Sequence, residues 1–351
     1  MQSAVALSIV MPVYNARAKV EKALESIQNQ TFTNWELLLV DDGSKDGSLE
    51  LLRAWEEKDS RIHVIAKENQ GVSIARNTGM KAAAGQYLTF VDADDYLEYD
   101  AYEKVMDWVE KTKSEACLFA YYDEKDGKKE EVLLPWESGS VLGQTEIWEQ
   151  LIPYMIKVFP EDSIANNIFG SVWRLLVKRA CVEEHQLQFD TSIQIAEDFD
   201  FSIHLFQYLE SIVIVNTCLY HYIRWGNTTM DVYRKQQFQE GMDNQHRLRY
   251  FLEEAKKYHA LEKRYIGSYI DVCIGSLVNF VRPGAPGLLQ TMRELSRVVN
   301  QIADDSIYDK LDQVQLTQNQ KRIFDLMKKR RVLTILILLH MRQFKKRHSK
   351  K

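Results

Sequence analysis

The sequence predicts an α/β fold, with a doubly wound sheet in residues 1–125, an elaboration of it in 126–230, and a helical region over 231–351. Three observations carry the prediction. Short apolar runs alternate with amphipathic stretches in the first 125 residues, which places parallel strands between covering helices. Glycine (15) and proline (6) are scarce for 351 residues, which argues against a turn-rich sandwich. Beyond Tyr233 the pattern is helical, with a break at Arg282-Pro283-Gly284-Ala285-Pro286-Gly287.

Leu7 to Val13 reads as a buried strand, and a helix follows near Ala18 to Asn29 with Val20, Ala23, Leu24 and Ile27 on one face. Glu36 to Val40 is the second strand and Ser48 to Glu57 the second helix. His63 to Ile65 is a short third strand, and Val72 to Ala84 a third helix bracketed by Gly71 and Gly85. Tyr87 to Val91, a helix from about Asp100 to Lys111 and a strand from Cys117 to Tyr122 complete this half. Four strand–helix units in succession imply a doubly wound sheet. From Gly127 to Thr229 periodicity weakens and aromatic residues become frequent, as where a sheet is elaborated into a binding surface.

With 45% hydrophobic and 27% charged residues the chain can bury a sizeable core, which excludes a disordered or fibrous protein. Cys117, Cys181, Cys218 and Cys273 stand far apart without CxxC spacing, a pattern of free thiols in a reducing compartment rather than a disulfide framework or a zinc site. The net charge of −5 divides unevenly: 321–351 holds twelve Lys and Arg against Asp325 alone, or +11, which leaves −16 on the rest. Such an acidic body lacks the basic footprint that nucleic-acid binding needs. Met1 to Leu7 shows no signal-peptide pattern, and no apolar run reaches the ~20 residues of a spanning helix, so the chain reads as soluble or peripheral.

Three polar clusters fall just after predicted strands: Pro12-Val13-Tyr14-Asn15, Asp41-Asp42-Gly43-Ser44 and Asp92-Ala93-Asp94-Asp95. In an open parallel sheet the carboxyl ends of the strands share the edge where ligands bind, so the clusters should converge. Asp42 can accept hydrogen bonds from a nucleobase or ribose, with Gly43 permitting the turn that aims it; alternatively, Asp42-Gly43-Ser44 only turns the chain. Asp92 and Asp94 offer hard oxygen ligands on one turn, suited to Mg²⁺ or Mn²⁺ completed by phosphates; alternatively, the turn is a solvated helix entrance. Glu197-Asp198, flanked by Ile193, Ile195, Phe199 and Phe201, is a candidate general base raised by desolvation; it also fits a first helical turn favoured by the macrodipole. Arg224, at the end of the alternating aromatic run from Tyr220, could reach a phosphate, and Arg76 in the third helix could face the same edge or simply solvent. His221 reads as a packed strand residue, since no second His or Cys stands at ligand spacing.

Together these stretches resemble family-2 glycosyltransferases, the inverting enzymes of GT-A fold. The likeness lies in Ser8 to Asn15, Leu24 to Thr31, Leu39 to Ser44, Gly71 to Asn77 and Phe90 to Asp95, and extends through Ser171-Val172-Trp173-Arg174 and Glu197-Asp198 to about residue 230. It implies that Asp42 recognises the base, that Pro12, Val13 and Tyr14 line the nucleoside pocket, and that Asp92 and Asp94 form the DxD motif with Asp94 the metal ligand. Asp198 would be the general base, and Arg76 and Arg224 would serve the nucleotide sugar. Arg174 departs from the usual pattern, where a small residue and then Asn or Lys follow the tryptophan.

The implied reaction moves a sugar from a nucleoside-diphosphate sugar, UDP-sugar by default, to a hydroxyl of a glycan or lipid-linked acceptor in bacterial-type surface polysaccharide synthesis. A non-catalytic nucleotide-sugar scaffold is the alternative. A sugar-nucleotide pyrophosphorylase is a further one, though Pro12 to Ala16 is not the glycine-rich basic loop it needs. The apolar stretch Val332 to Leu339 between basic clusters could lie in the headgroup layer, placing the protein on the inner face of the plasma membrane; alternatively it docks on the body or a second subunit. The helical third could also pair with a copy of itself.

Overall fold

The computed structural model describes residues 5–164, 168, 170–225 and 232–348. The chain divides into two compact units, Met1–Trp225 and Gly226–Lys351.

Unit one begins with the expected alternation. Strands β1 (Leu7–Val13), β2 (Trp35–Asp41), β3 (Ile62–Ala66) and β4 (Tyr87–Phe90) alternate with helices α1 (Val20–Gln28), α2 (Ser48–Glu56) and α3 (Val72–Ala82). These strands pair in parallel in the order β3-β2-β1-β4, with Val13 opposite Asp41 at the carboxyl edge. The alternation of β1 explains why helices cover both faces. Leu7, Ile9, Met11 and Val13 join the core with Val20, Leu24 and Ile27 of α1. Val10 points the other way, to α3, where a Cβ on Gly79 would lie 2.4 Å from its Cγ1; only glycine lets helix and strand approach so closely.

The sheet then departs from the sequence reading. After β5 (Tyr96–Leu97) and α4 (Ala101–Thr112), strand β6 (Ala116–Lys125) does not lie beside β4. Hairpin partner β7 (Lys128–Val132) and short β8 (Val141–Gly143) follow, then helical turns α5 (Gln144–Glu146) and α6 (Ile152–Ile156). Strand β9 (Leu175–Lys178) inserts antiparallel between β4 and β6. After α7 (Arg179–Glu184) and α8 (Glu197–Phe206), the long β10 (Ser211–Arg224) runs parallel to β6, with β5 and β8 antiparallel on its other side. The sheet is therefore mixed. Because β10 lies between β6 and β5, Tyr220 and His221 are buried rather than at an edge. All four cysteines are free and buried.

Unit two is helical: α9 (Gln237–Glu254), α10 (Tyr258–Asn279), α11 (Leu288–Ala303), α12 (Gln318–Lys328) and α13 (Val332–His348), with a 3₁₀ segment at Ser306–Gln313. Thr317 and Gln320 form a capping box that starts α12. Helix α13 buries Ile335, Leu336 and Leu339 and leaves Leu333, Ile337 and Met341 more than half exposed. Among the described residues no helix is long and apolar enough to cross a membrane.

Candidate active site

Hydrogen bonds lace together the loops that follow β1, β2 and β3. Asn15, in the left-handed region at φ 48°, accepts from the Lys45 N–H at 2.8 Å, and its own N–H reaches the Ser44 hydroxyl at 3.0 Å. Asp41 caps its own turn, accepting from the N–H groups of Gly43 and Ser44. Gly43 sits at φ +74°, where an added Cβ would meet the Asn69 nitrogen at 2.8 Å. The buried Asp42 carboxylate accepts from the N–H of Gln70 (3.0 Å), the N–H of Gly71 (2.8 Å) and the Lys67 ammonium (2.5 Å). Asp42 thus fixes the loop that launches α3.

The three clusters do converge. A cleft of about 410 Å³ at the carboxyl edge is lined by Pro12 to Ala16, Lys19, Asp42, Asn69, Gly71, Val72, Ala75, Asp92, Ala93 and Asp94. Tyr14 is half exposed above it. The Asp92 to Asp95 turn is held from below by β10. The Tyr220 hydroxyl accepts from the Asp92 N–H (3.1 Å) and donates to Asp95 (2.8 Å), which also accepts from the Ile223 N–H (2.8 Å). Burial, then the nearby Asp92 charge, pushes the Asp95 carboxyl up. Trp173 stacks on Tyr220 and Tyr222 at 4.5 and 5.6 Å between ring centres, filling the floor beneath.

Arg76 links the turn to Glu197-Asp198. Its guanidinium, buried inside α3, donates to Asp92 (3.1 Å), Glu197 (2.9 Å) and Asp198 (2.5 Å). Burial works against its charge, but the three carboxylates outweigh it and hold its pKa above the ordinary value. Asp198 goes the other way: burial raises its carboxyl to about 7 against the pull of Arg76. Two devices bring α8 here. The side-chain amide of Asn77 exchanges hydrogen bonds with the Phe189 backbone (2.8 and 2.9 Å), and Phe189 stacks on Phe201. Ala196 starts α8 in the left-handed region at φ 66°, an unusual conformation for a non-glycine residue directly before Glu197.

Two expected contacts are revised. Arg76 faces carboxylates rather than the open cleft, because three acids claim its donors. Arg224 is not among the cleft residues; its Nε donates to Asp123 at 2.6 Å. Arg174 is buried, its Nε donating to the Phe119 carbonyl and its pKa lowered to about 10 by burial, so this departure from the family pattern is absorbed by the sheet. Asn227 to Thr229 lie outside the described residues. Sequence reasoning missed Lys19 and Trp225. The Lys19 ammonium lies 3.2 Å from Asp94 and 4.7 Å from the Trp225 ring centre, and the indole N–H donates to the Asp94 carbonyl. Neither falls in a recognisable cluster.

The donor set suits a divalent cation. Asp92 and Asp94 present oxygens from one turn into the cleft, Asp94 with a side chain 41% exposed. Among the described residues no group of three or more His, Cys, Asp or Glu forms a full cage. One or two carboxylates completed by phosphate oxygens and water is how Mg²⁺ is commonly held.

The mixed sheet, with a carboxylate-lined cleft beyond its parallel strands, matches solved structures of the GT-A class of fold. The Staphylococcus aureus TarS fragment 1–349, solved with UDP-GlcNAc, superposes with a TM-score of 0.66 at 16% identity, covering 97% of this chain and 92% of that one. Mannosyltransferase PcManGT from Pyrobaculum calidifontis, solved with GDP-Man and Mn²⁺, gives 0.52 at 14% identity over 97% and 88%. The glycosyl transferase family 2 profile matches residues 8–170. The Bacillus subtilis (strain 168) chain named uncharacterized glycosyltransferase EpsJ is 31% identical over 240 residues, 68% of this chain and 67% of its own length. The chain belongs to glycosyltransferase family 2.

Proposed function

We propose that the protein transfers a sugar from a nucleoside-diphosphate sugar, UDP-sugar by preference, to a hydroxyl of a glycan or lipid-linked acceptor, with inversion, in bacterial surface-polysaccharide synthesis. The observation that carries this reading is the single guanidinium of Arg76 bonded to both Asp92 of the cleft and Asp198 of α8. A desolvated carboxylate linked in this way to the acidic turn of the cleft supports a base acting beside a bound diphosphate.

In this reading Pro12, Val13, Tyr14 and Asp42 receive the nucleoside. The Asp42 carboxylate is rigid because three donors orient it, and Asp42 brings little reorganisation cost to binding. Asp94, with Asp92, would hold Mn²⁺ or Mg²⁺. That ion would offset charge developing on the leaving diphosphate. Asp198 takes the proton from the acceptor hydroxyl as its oxygen attacks the anomeric carbon. One displacement, with the base and the leaving group on opposite sides of that carbon, inverts it. Arg76 keeps Asp198 aimed. Support for a UDP donor and a metal comes from the ligands of TarS and PcManGT.

We assign residues 1–230 to catalysis, with 126–230 serving the acceptor, and the basic tail 321–351 to an anionic membrane surface on the cytoplasmic side. The exposed Leu333, Ile337 and Met341 recur every four residues on one face of α13, flanked by Lys328 to Arg331 and Arg342. Self-association through the helical unit is an alternative use of this face. A thermal-shift screen of nucleoside diphosphates with Mn²⁺ tests the reading. UDP should raise the unfolding temperature, since a ligand of the folded state stabilises it; no shift with any diphosphate would refute it.

A further inference from the structure

We infer that Lys19 is a cation built into the donor site, one that leaves Asp94 for the donor's diphosphate and so lets nucleoside diphosphate bind without metal. The inference rests on the donor site proposed above and adds a residue to it.

Each cleft carboxylate has its own cation: Lys67 for Asp42, Arg76 for Asp92 and Lys19 for Asp94. They differ in what holds them. The Lys67 ammonium is bound by both Asp42 and the Glu68 carbonyl, and the Arg76 guanidinium is buried among three acids. Lys19 and Asp94 have side chains 36% and 41% exposed and share one contact of 3.2 Å. Exposed pairs of this kind are weak and exchange readily. Lys19 is also the one basic side chain among the described residues that line the cleft. A diphosphate entering among three acids needs a positive charge, and among the described residues lining the cleft Lys19 alone is placed to supply it.

Trp225 supports the exchange. Its ring lies 4.7 Å from the Lys19 ammonium, giving the cation a second seat that needs no anion, and its indole N–H holds the Asp94 carbonyl at 3.2 Å. The carboxylate of Asp94 can therefore change partner while its backbone stays in place. Lys19 would be repelled toward the phosphates with a divalent ion on Asp94, and would be drawn there by the phosphates alone without one.

Calorimetric titration of UDP into wild type, Lys19→Met and Lys19→Arg, in EDTA and in Mn²⁺, tests this. Wild type should bind UDP in EDTA, and Lys19→Met should weaken that binding about tenfold or more, the scale of a charge-assisted contact. The loss should shrink in Mn²⁺, and Lys19→Arg should retain metal-free binding. Trp225 fluorescence, taken as the difference from Trp225→Phe, should change on adding UDP in EDTA. Equal affinities for wild type and Lys19→Met in EDTA, or wild-type binding in Mn²⁺ alone, would overturn the inference and leave the donor site standing. No UDP binding in either buffer would overturn the donor site as well.

Discussion

Arg76 Nη1 lies 2.5 Å from Asp198 Oδ1, joining residues 122 positions apart, and its Nη2 reaches Asp92 at 3.1 Å. One buried guanidinium thus ties the loop that follows β4 to helix α8. Asp198 would otherwise be a desolvated carboxylate with Glu197 and Asp92 as its repelling neighbours. Arg76→Met strips all three acids of their shared partner. Removing one side of a buried ion pair costs about 3–5 kcal/mol, so urea unfolding should show a loss near the lower end of that range, since the acids retain some exposure. Arg76→Lys should recover part of it, lacking the planar fork. A change under about 1 kcal/mol for Arg76→Met would be inconsistent with this role.

With Asp198 as the proposed base, stability and turnover should move oppositely with pH. Burial raises its carboxyl from 3.8 to about 7, so the folded chain holds this proton more tightly than the unfolded chain. Its stabilising contribution is complete below the unfolded value and is lost as pH rises to about 7. Asp198→Asn cannot lose it. The melting temperature of that variant relative to wild type should climb between about pH 4 and pH 7 and then level off, while its turnover falls about 10²–10⁴-fold, the usual contribution of a general base. A difference in melting temperature that is flat with pH would count against a raised Asp198.

Tyr220 is a strut under the Asp92 to Asp95 turn, using one hydroxyl for the Asp92 N–H and the Asp95 carboxylate. Tyr220→Phe leaves Asp95 buried with its Ile223 N–H donor and frees the turn. The expected cost is about 1–3 kcal/mol of stability, the penalty of an unsatisfied buried polar group. Mn²⁺ affinity, read by paramagnetic resonance in the presence of UDP, should fall as well. Unchanged metal affinity would mean that Tyr220 does not position the turn.

The outward face of α13 predicts membrane contact of a particular kind. Substituting Leu333, Ile337 and Met341 together by Ser should reduce cosedimentation with phosphatidylglycerol vesicles, and raising salt should do the same, because apolar insertion and basic attraction both contribute. Vesicles of neutral lipid should bind less from the start. Equal sedimentation of wild type and the triple variant would exclude this face.

The four strand–helix units were legible because their alternation is local, and so were Asp42, Asp92 and Asp94, since each follows an apolar strand that carries it to a known edge. What escaped the sequence depends on distant partners. Strand β9 is four residues long and only its insertion beside β4 makes it visible. Arg76 gave no sign of direction, because its three acids lie 16, 121 and 122 positions away. The tail was half legible: its apolar stretch is continuous in sequence, but packing turns Ile335, Leu336 and Leu339 inward and leaves a narrower exposed stripe.

The most direct test of the gathered-carboxylate site is UDP release from a panel of UDP-sugars, with and without Mn²⁺, by wild type, Asp94→Ala and Asp198→Asn. Wild type should release UDP with at least one sugar and respond to Mn²⁺. Asp94→Ala should lose the metal response, and Asp198→Asn should bind UDP normally yet turn over at least about a hundredfold more slowly. Three proteins releasing UDP at the same rate, with the same metal response, would contradict the account.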